Sequence, residues 1–508
     1  MDITLFISTN NNTVNAIPLL IDEFKENRVP VILSSDYAEK NKWTANLQYV
    51  LEKKGLHPQV YDFPDKEEEM NKLLKQFKDY PSIYFNISGG KKNQILSLLA
   101  LYIERNNNKD RLIYMDNEKG KSIVKVFSEG FKFEKEIEPE YLLDLEDISN
   151  LYGYTCTQSQ KKIDNFILNP NNLNLPIDKI RQINKYFLEE PEFAILLYKY
   201  FGSAQVEFAD NCLIKEQINK CLTEANPTLE ELKKEIDNTL KQDLIEAKSR
   251  LNNIKDKYKD NPSNITKEDW NALWKIIHLF LDEKGTYNKY WGQLKRKLNE
   301  NIIKDFNQNT KALINDKALV KKILDICQKL SSKPIQQKEK IFESDVPDLL
   351  DIHCKKGFFF EDMLAVRFYD LIKEKNPEML SRFYKNINGY NLEYDNNGRA
   401  CLPKSNNPNV VEFDFVFVTN FGIIYSFEAK SFDIKGETVK SKSYSTTSQG
   451  GVFSSNIFLT PIQKKHFDDI KFNKNIPGQM KDKINAIQKY RVQLWYFDEI
   501  GEKLEKIL

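Results

Sequence analysis

The chain has 508 residues, 75 Lys and Arg against 74 Asp and Glu, and four histidines. That length exceeds one typical domain, so about two to four domains are expected, and the balanced charge excludes a global pull towards nucleic acid and leaves only local patches for it. No apolar run approaches the ~18 residues of a membrane span; the six cysteines form no CxxC and the histidines no ligand pair, which sets aside a disulfide framework and an imidazole-held metal.

MDITLFIS has no basic leader and reads as a first strand, which predicts a cytoplasmic protein without a membrane partner. Residues 1–137 alternate short apolar runs (ITLFIS, VPVILSS, PQVYDF, SIYFNIS, DRLIYMDN) with helical patterns (NAIPLLIDEFKE, NLQYVLEKKG, NQILSLLALYIERN). This alternation predicts a parallel, doubly wound α/β sheet, whose ligands bind beyond the carboxyl ends of the strands. Those ends carry Ser8, Thr9 and Asn10; Ser34, Ser35 and Asp36; Asn86, Ser88, Gly89, Gly90, Lys91 and Lys92; and Asp116 and Asn117. In NISGGKK a strand runs straight into a helix. Its glycines permit close backbone approach, and the helix start with Lys91 and Lys92 favours phosphate. A tight structural turn with solvated lysines is the other reading. GxxxxGK[ST] and GxGxxG are both missing, which weighs against NTP hydrolysis and dinucleotide redox chemistry.

Residues 138–340 are polar and helical. Thr228 and Glu231 make a capping box ahead of leucines at helical spacing, and a second helix is expected through Trp270 and Trp274. Interspersed glutamates make its lysine-rich surface a solvated face. This region reads as a linker or coupling domain. Residues 341–508 turn to α+β: a helix GFFFEDMLAVRFYDLI, the hairpin VEFDFVFVTNFGIIYSFEAKS, a Ser/Thr/Gly-rich segment, a helix KDKINAIQKY and a strand VQLWYF.

The hairpin carries Glu412, Asp414, Glu428 and Lys430 in otherwise apolar strands. Residues two apart share a face, which puts Glu412 with Asp414, and Glu428 with Lys430. Asn420-Phe421-Gly422 suits a three-residue turn with Gly422 left-handed. That turn pairs Thr419 with Ile423 and, counting back, sets Asp414 opposite Glu428. Facing carboxylates call for a cation; Lys430 offers one charge, and a hard divalent metal with oxygen ligands satisfies the geometry. Glu361 lies on a helical stripe with Leu364, Ala365, Phe368 and Leu371, so it needs a partner, the metal or Lys430. A structural ion-pair hairpin is the bland alternative.

Asp414, thirteen residues, then Glu428-Ala429-Lys430 resembles the PD-(D/E)XK nuclease signature. Glu361 resembles that superfamily's helix-one glutamate, and Glu412 the acidic position before the metal-binding aspartate. NISGGKK, together with Ser8-Thr9-Asn10, Asn15 and Pro18, is similar to the CRISPR-associated Rossmann fold (CARF), and EDISNLYGY to the segment that closes it. The joint resemblance is to CARF nucleases of type III CRISPR systems. It implies a Rossmann-like CARF domain (1–137), the helical region (138–340) and a restriction-endonuclease-like domain (341–508). It further implies catalytic roles for Glu361, Asp414, Glu428 and Lys430, and Mg²⁺ or Mn²⁺ held by Asp414, Glu428 and the Ala429 carbonyl. The implied activator is a cyclic oligoadenylate, tetra-adenylate ahead of hexa-adenylate, read by a homodimer; the implied substrate is DNA or RNA. Two other readings stay open: a sensing adaptor with a degenerate nuclease domain, and a constitutive endonuclease whose N-terminal domain only dimerises. Segment 431–456 interleaves lysines such as Lys440 and Lys442 with aromatic residues, which suits single strands; a mobile polar loop is the alternative.

Overall fold

The computed structural model describes, short breaks apart, residues 2–203, 312–403, 411–430 and 454–508, with isolated positions between 249 and 272 and between 446 and 450. The Thr228–Glu231 box, Trp270, Trp274, Lys440 and Lys442 lie outside the described residues. The chain divides into a first unit of Met1–Asn184, Lys355–Asn473 and Gly478–Leu508, and a second of Lys185–Cys354 and Lys474–Pro477.

The first unit holds two sheets. Strands β1 (Asp2–Ile7), β2 (Arg28–Ser34), β3 (Gln59–Asp62), β4 (Ile83–Asn86), β5 (Arg111–Glu118), β6 (Lys121–Ser128) and β7 (Lys132–Ile137) form one, in the order β3-β2-β1-β4-β5-β6-β7. The first five are mutually parallel, as the strand–helix alternation predicts; β6 and β7 extend the sheet antiparallel. Helices α1 (Thr13–Leu20), α2 (Trp43–Lys53) and α3 (Lys92–Arg105) follow β1, β2 and β4. Because β1 lies between β2 and β4, the connections leave it on opposite sides. The topological switch point, where sheets of this kind form their binding crevice, therefore lies where β1 and β4 end.

Helix α4 (Leu145–Leu151) starts at Asp144, whose side chain accepts the Asp147 N–H. It leads to β8 (Tyr154–Cys156), the edge of the second sheet. That sheet adds β9 (Phe383–Asn391), β12 (Val411–Val418), β13 (Ile424–Ala429), β14 (Ser455–Thr460) and β15 (Gln493–Tyr496), in the order β15-β14-β13-β12-β9-β8; the short β10 (Glu393–Tyr394) and β11 (Ala400–Cys401) pair with each other. It is mixed, with β13, β14 and β15 parallel and the remaining neighbours antiparallel. Helix α5 (Lys356–Lys375) lays Phe368 on the rings of Phe383, Phe415 and Phe427, with centroids 4.8, 5.3 and 5.2 Å away. Helix α6 (Gly478–Lys489) precedes β15.

The two sheets share a core. Phe6, Ile17, Leu47 and Val50 cluster with Ile148 and Leu151 of α4 and with Tyr384, Ile387, Phe413, Val416, Val418 and Ile424. Two further hydrogen bonds are made nearby: Tyr152, just after α4, donates to Asn11 Oδ1 at 2.8 Å, and Tyr394 of β10 donates to Asn46 Oδ1 of α2 at 2.8 Å.

In the second unit, helices Pro191–Gly202 and Lys317–Leu330 bury Phe193, Leu197, Phe201, Val320, Ile323 and Cys327, and Lys322 pairs with Glu192 at 2.9 Å. Among the described residues no helix is long and apolar enough to cross a membrane.

One pH effect arises in the C-terminal region. His466, only 7% exposed, stacks on Phe472 with centroids 3.9 Å apart. Burial pushes its pKa down from 6.5 to about 4, so the unfolded chain binds the proton more readily than the folded one. Its stabilising contribution is therefore whole above pH 6.5 and is lost as the pH falls towards 4, by roughly 2–3 kcal/mol. His466→Gln is expected to flatten the urea midpoint across that window; a wild-type midpoint already flat there would refute the assignment.

Candidate nuclease centre and ligand crevice

The crevice is built by the exits of β1 and β4. Asn15, buried at the start of α1, donates to Ile7 O at 2.7 Å and to Asn12 Oδ1 at 3.2 Å. Asn86 donates to Val14 O at 3.0 Å, and its Oδ1 accepts from Ser88 N (3.0 Å) and Ser88 Oγ (2.6 Å); Ser88 Oγ in turn accepts from Met115 N at 2.8 Å. Thr9 N donates to Asn12 Oδ1 and Thr9 Oγ1 accepts from Asn11 N. Asn86, Ser88 and Thr9 thus shape the crevice by bonding inward. Ser8 is buried, and Ser35 caps a short helix by accepting Ala38 N at 3.3 Å. Asp116 pairs with Lys125 at 2.8 Å. Asn10, Lys91 and Lys92 are exposed, the lysines at the start of the 14-residue α3.

The glycines do more than the sequence indicates. A Cβ on Gly89 would lie 2.9 Å from Thr9 Cγ2; one on Gly90 would lie 2.8 Å from Ile7 Cδ1, and Gly90 has φ 128°. Both are required for the two loops to meet, whatever binds above them.

At the hairpin the pairing has the expected register. Phe415 faces Phe427 and Val418 faces Ile424, and Thr419 N donates to Ile423 O at 3.1 Å. Gly422 is left-handed at φ 70°. One step before Phe415–Phe427 brings Asp414 to Glu428, and Asp414 Oδ2 accepts the Ala429 N–H at 2.7 Å. Glu428 is fully buried, with Lys430 Nζ 3.4 Å from its Oε2. Lys430 N bonds Leu459 O at 3.0 Å, which fixes the strand end. Burial works against the Lys430 ammonium, yet Asp414, Glu428 and Glu361 together hold its pKa above the ordinary lysine value. Glu412 departs from its expected inner position: it is exposed near the start of β12, where the buried stretch has not yet begun.

Glu361 sits on α5, its carboxyl raised above the ordinary range by burial, with Lys385 opposing the rise and Asp414 adding to it. Its hydrogen-bonded partner is Lys385 of β9, 3.1 Å from Oε2, where the sequence pointed to Lys430 or a metal. Its mark in the sequence is faint, a lysine within FYKNINGY that on its own reads as a solvent-facing strand residue.

Three carboxylates (Glu361, Asp414, Glu428) therefore stand near two ammonium groups (Lys385, Lys430). Among the described residues no three His, Cys, Asp or Glu side chains cluster as metal ligands. Asp414 and Glu428, brought to the same end of the β12–β13 pair, carry only oxygen donors. That suits a hard divalent ion, which typically takes one or two carboxylates and completes its shell with water or substrate oxygen.

No protein-family model matches the chain, and no curated protein does. Among solved structures it is similar to protein VC1899 from Vibrio cholerae, at 11% identity over 99% of this chain and 95% of that one, with a TM-score of 0.48. It is also similar to Can2 from Sulfobacillus thermosulfidooxidans in complex with cyclic tetra-adenylate, at 11% identity over 100% and 99%, with a TM-score of 0.46. A type III CRISPR defence DNA nuclease activated by cyclic oligoadenylate has 11% identity over 91% and 92%, with a TM-score of 0.24. At these values the function has to be read from this chain's own residues.

Proposed function

We propose that this chain is a nuclease of type III CRISPR defence, dependent on Mg²⁺ or Mn²⁺ and switched on by a cyclic oligoadenylate. The reading is carried by one observation: Asp414 bonded to Ala429 N across the hairpin, with Glu428 and Lys430 beside it. Asp414, Glu428 and the Ala429 carbonyl would hold the ion, which would supply Lewis-acid stabilisation of a phosphodiester's developing charge. The Ala429 N–H fixes the Asp414 carboxylate, and the Lys430 ammonium orients the attacking water and offsets charge on the transferring phosphorus. Glu361 completes the centre from α5.

The activator's phosphates bind at Lys91, Lys92 and the start of α3. Two copies read the repeat symmetry of the ring. Leu96 (64% exposed), Ala100 and Ile103 (60%) form an apolar stripe on α3 that supports such pairing. Sedimentation should show a dimer that Leu96→Glu with Ile103→Glu turns into a monomer of lower activator affinity; a wild-type monomer with and without activator would sink the pairing. Gating requires the ring to bind the active state more tightly than the inactive one.

Single-stranded DNA or RNA is the favoured substrate, with nicking of supercoiled DNA at breathing regions, and cleavage falls steeply with salt. The deciding experiment measures cleavage of single strands, linear duplex and supercoiled plasmid in Mn²⁺, with and without cyclic tetra- and hexa-adenylate. Cleavage only with activator supports the proposal. Cleavage without it favours a constitutive endonuclease, and ligand binding without cleavage favours an adaptor.

A further inference from the structure

A lysine with a side chain 3% exposed is costly inside a sheet unless its charge is matched. Lys385 meets this condition through four neighbours. Its Nζ donates to Glu361 Oε2 at 3.1 Å and to Asn386 Oδ1 at 3.2 Å, and it lies 4.9 and 5.3 Å from the ring centroids of Phe166 and Phe415. The aromatic faces add attraction for a desolvated cation. Strand β9 is shaped around it: β9 and β12 pair on either side of the Asp414 level, Phe413 with Ile387 and Phe415 with Lys385, and between them Asn386 turns left-handed at φ 56°. Asparagine takes that conformation readily, and here it marks a local break in the pairing, where the register passes over Asn386 and Asp414. Lys385 therefore stands in the strand beside Asp414 and hydrogen-bonds Glu361 of helix α5, while its charge also acts on the neighbouring buried Asp362, which is itself bonded to Asn174.

We propose that Lys385 is a positioning residue for the nuclease centre: its ammonium takes Glu361 Oε2, fixes that carboxylate beside Asp414, and so sets the direction in which Glu361 faces the centre. The inference rests on the nuclease reading above. Lys385 acts through Glu361 and touches no reacting atom, which separates its role from that of Lys430.

Full-length wild type, Lys385→Met, Lys385→Arg, Glu361→Gln and the Lys385→Met/Glu361→Gln double variant are compared by activated cleavage and by Mn²⁺ binding followed by electron paramagnetic resonance. Loss of an outer-shell partner typically costs about 10–100-fold in metal affinity or activity, and a loss of that size is expected for Lys385→Met in both readouts, with partial recovery in Lys385→Arg. The double variant should be no worse than Glu361→Gln, because residues acting through one contact are non-additive. It also removes both charges together, which keeps the fold if Lys385→Met alone unfolds. Losses that simply add in the double variant, or a Lys385→Met protein equal to wild type in cleavage and Mn²⁺ binding, overturn the role. If wild type neither cleaves nor binds Mn²⁺, the nuclease reading itself falls and takes this role with it. If wild type binds Mn²⁺ without cleaving, the binding series alone decides for or against Lys385.

Discussion

Glu428→Gln is expected to lower activated cleavage by at least about 10²–10³-fold, the scale of losing one preorganised electrostatic group in an active site. Its melting temperature should stay within a few degrees of wild type. Glu428 is fully buried, and glutamine keeps its volume while removing a desolvated charge. Lys430 retains Asp414 and Glu361 as neighbouring carboxylates. A plasmid assay in Mn²⁺ and a thermal melt on the same preparation decide the matter. Cleavage within tenfold of wild type would remove Glu428 from the centre, whereas a large melting drop would make the loss uninterpretable as chemistry and call for Lys430→Gln in its place.

The second large effect is on folding. Gly90→Val is expected to destabilise the protein by about 2–4 kcal/mol, because the added Cβ meets Ile7 Cδ1 at 2.8 Å and φ 128° is a conformation β-branched residues scarcely adopt. From sequence alone the same substitution would be expected to cost ligand affinity and leave stability untouched; the packing of Gly90 on Ile7 overturns the second half of that. The clean probe of the crevice is Lys91→Ala with Lys92→Ala, both exposed at the start of α3. Calorimetry with cyclic tetra- and hexa-adenylate should show affinity down by tenfold or more with the melting point unchanged. Unaltered affinity for both rings would reduce NISGGKK to a structural turn.

The hairpin register was legible because the glycine at the turn fixes where the pairing starts and one residue is counted back on each strand from there, and Gly422 at φ 70° obeys it. The crevice was legible for a similar reason: strands alternating with helices force a topological switch, and the polar strand ends mark it. Lys385 was not. A lysine in a strand reads as a solvent-facing residue until its partners are known, and Glu361 lies 24 positions away. Strands β6 and β7 were missed because β7, KFEKEI, is charged and mostly exposed and lacks a buried strand's apolar run. Nor could periodicity show that Cys156 and its neighbours would join β9, since alternation fixes which face is apolar and not which distant strand covers it.

The shared core has a consequence for engineering. Phe6, Ile17 and Val50 are covered by Tyr384, Val416 and Ile424 in a single cluster. A cut anywhere between the seven-stranded sheet and α5 would leave each fragment with a bare apolar face, prone to self-association. The crevice is thus no detachable cassette. Grafting it onto another protein would mean carrying along the inner surface of the second sheet, and putting a foreign domain in that sheet's place would mean rebuilding that surface residue by residue.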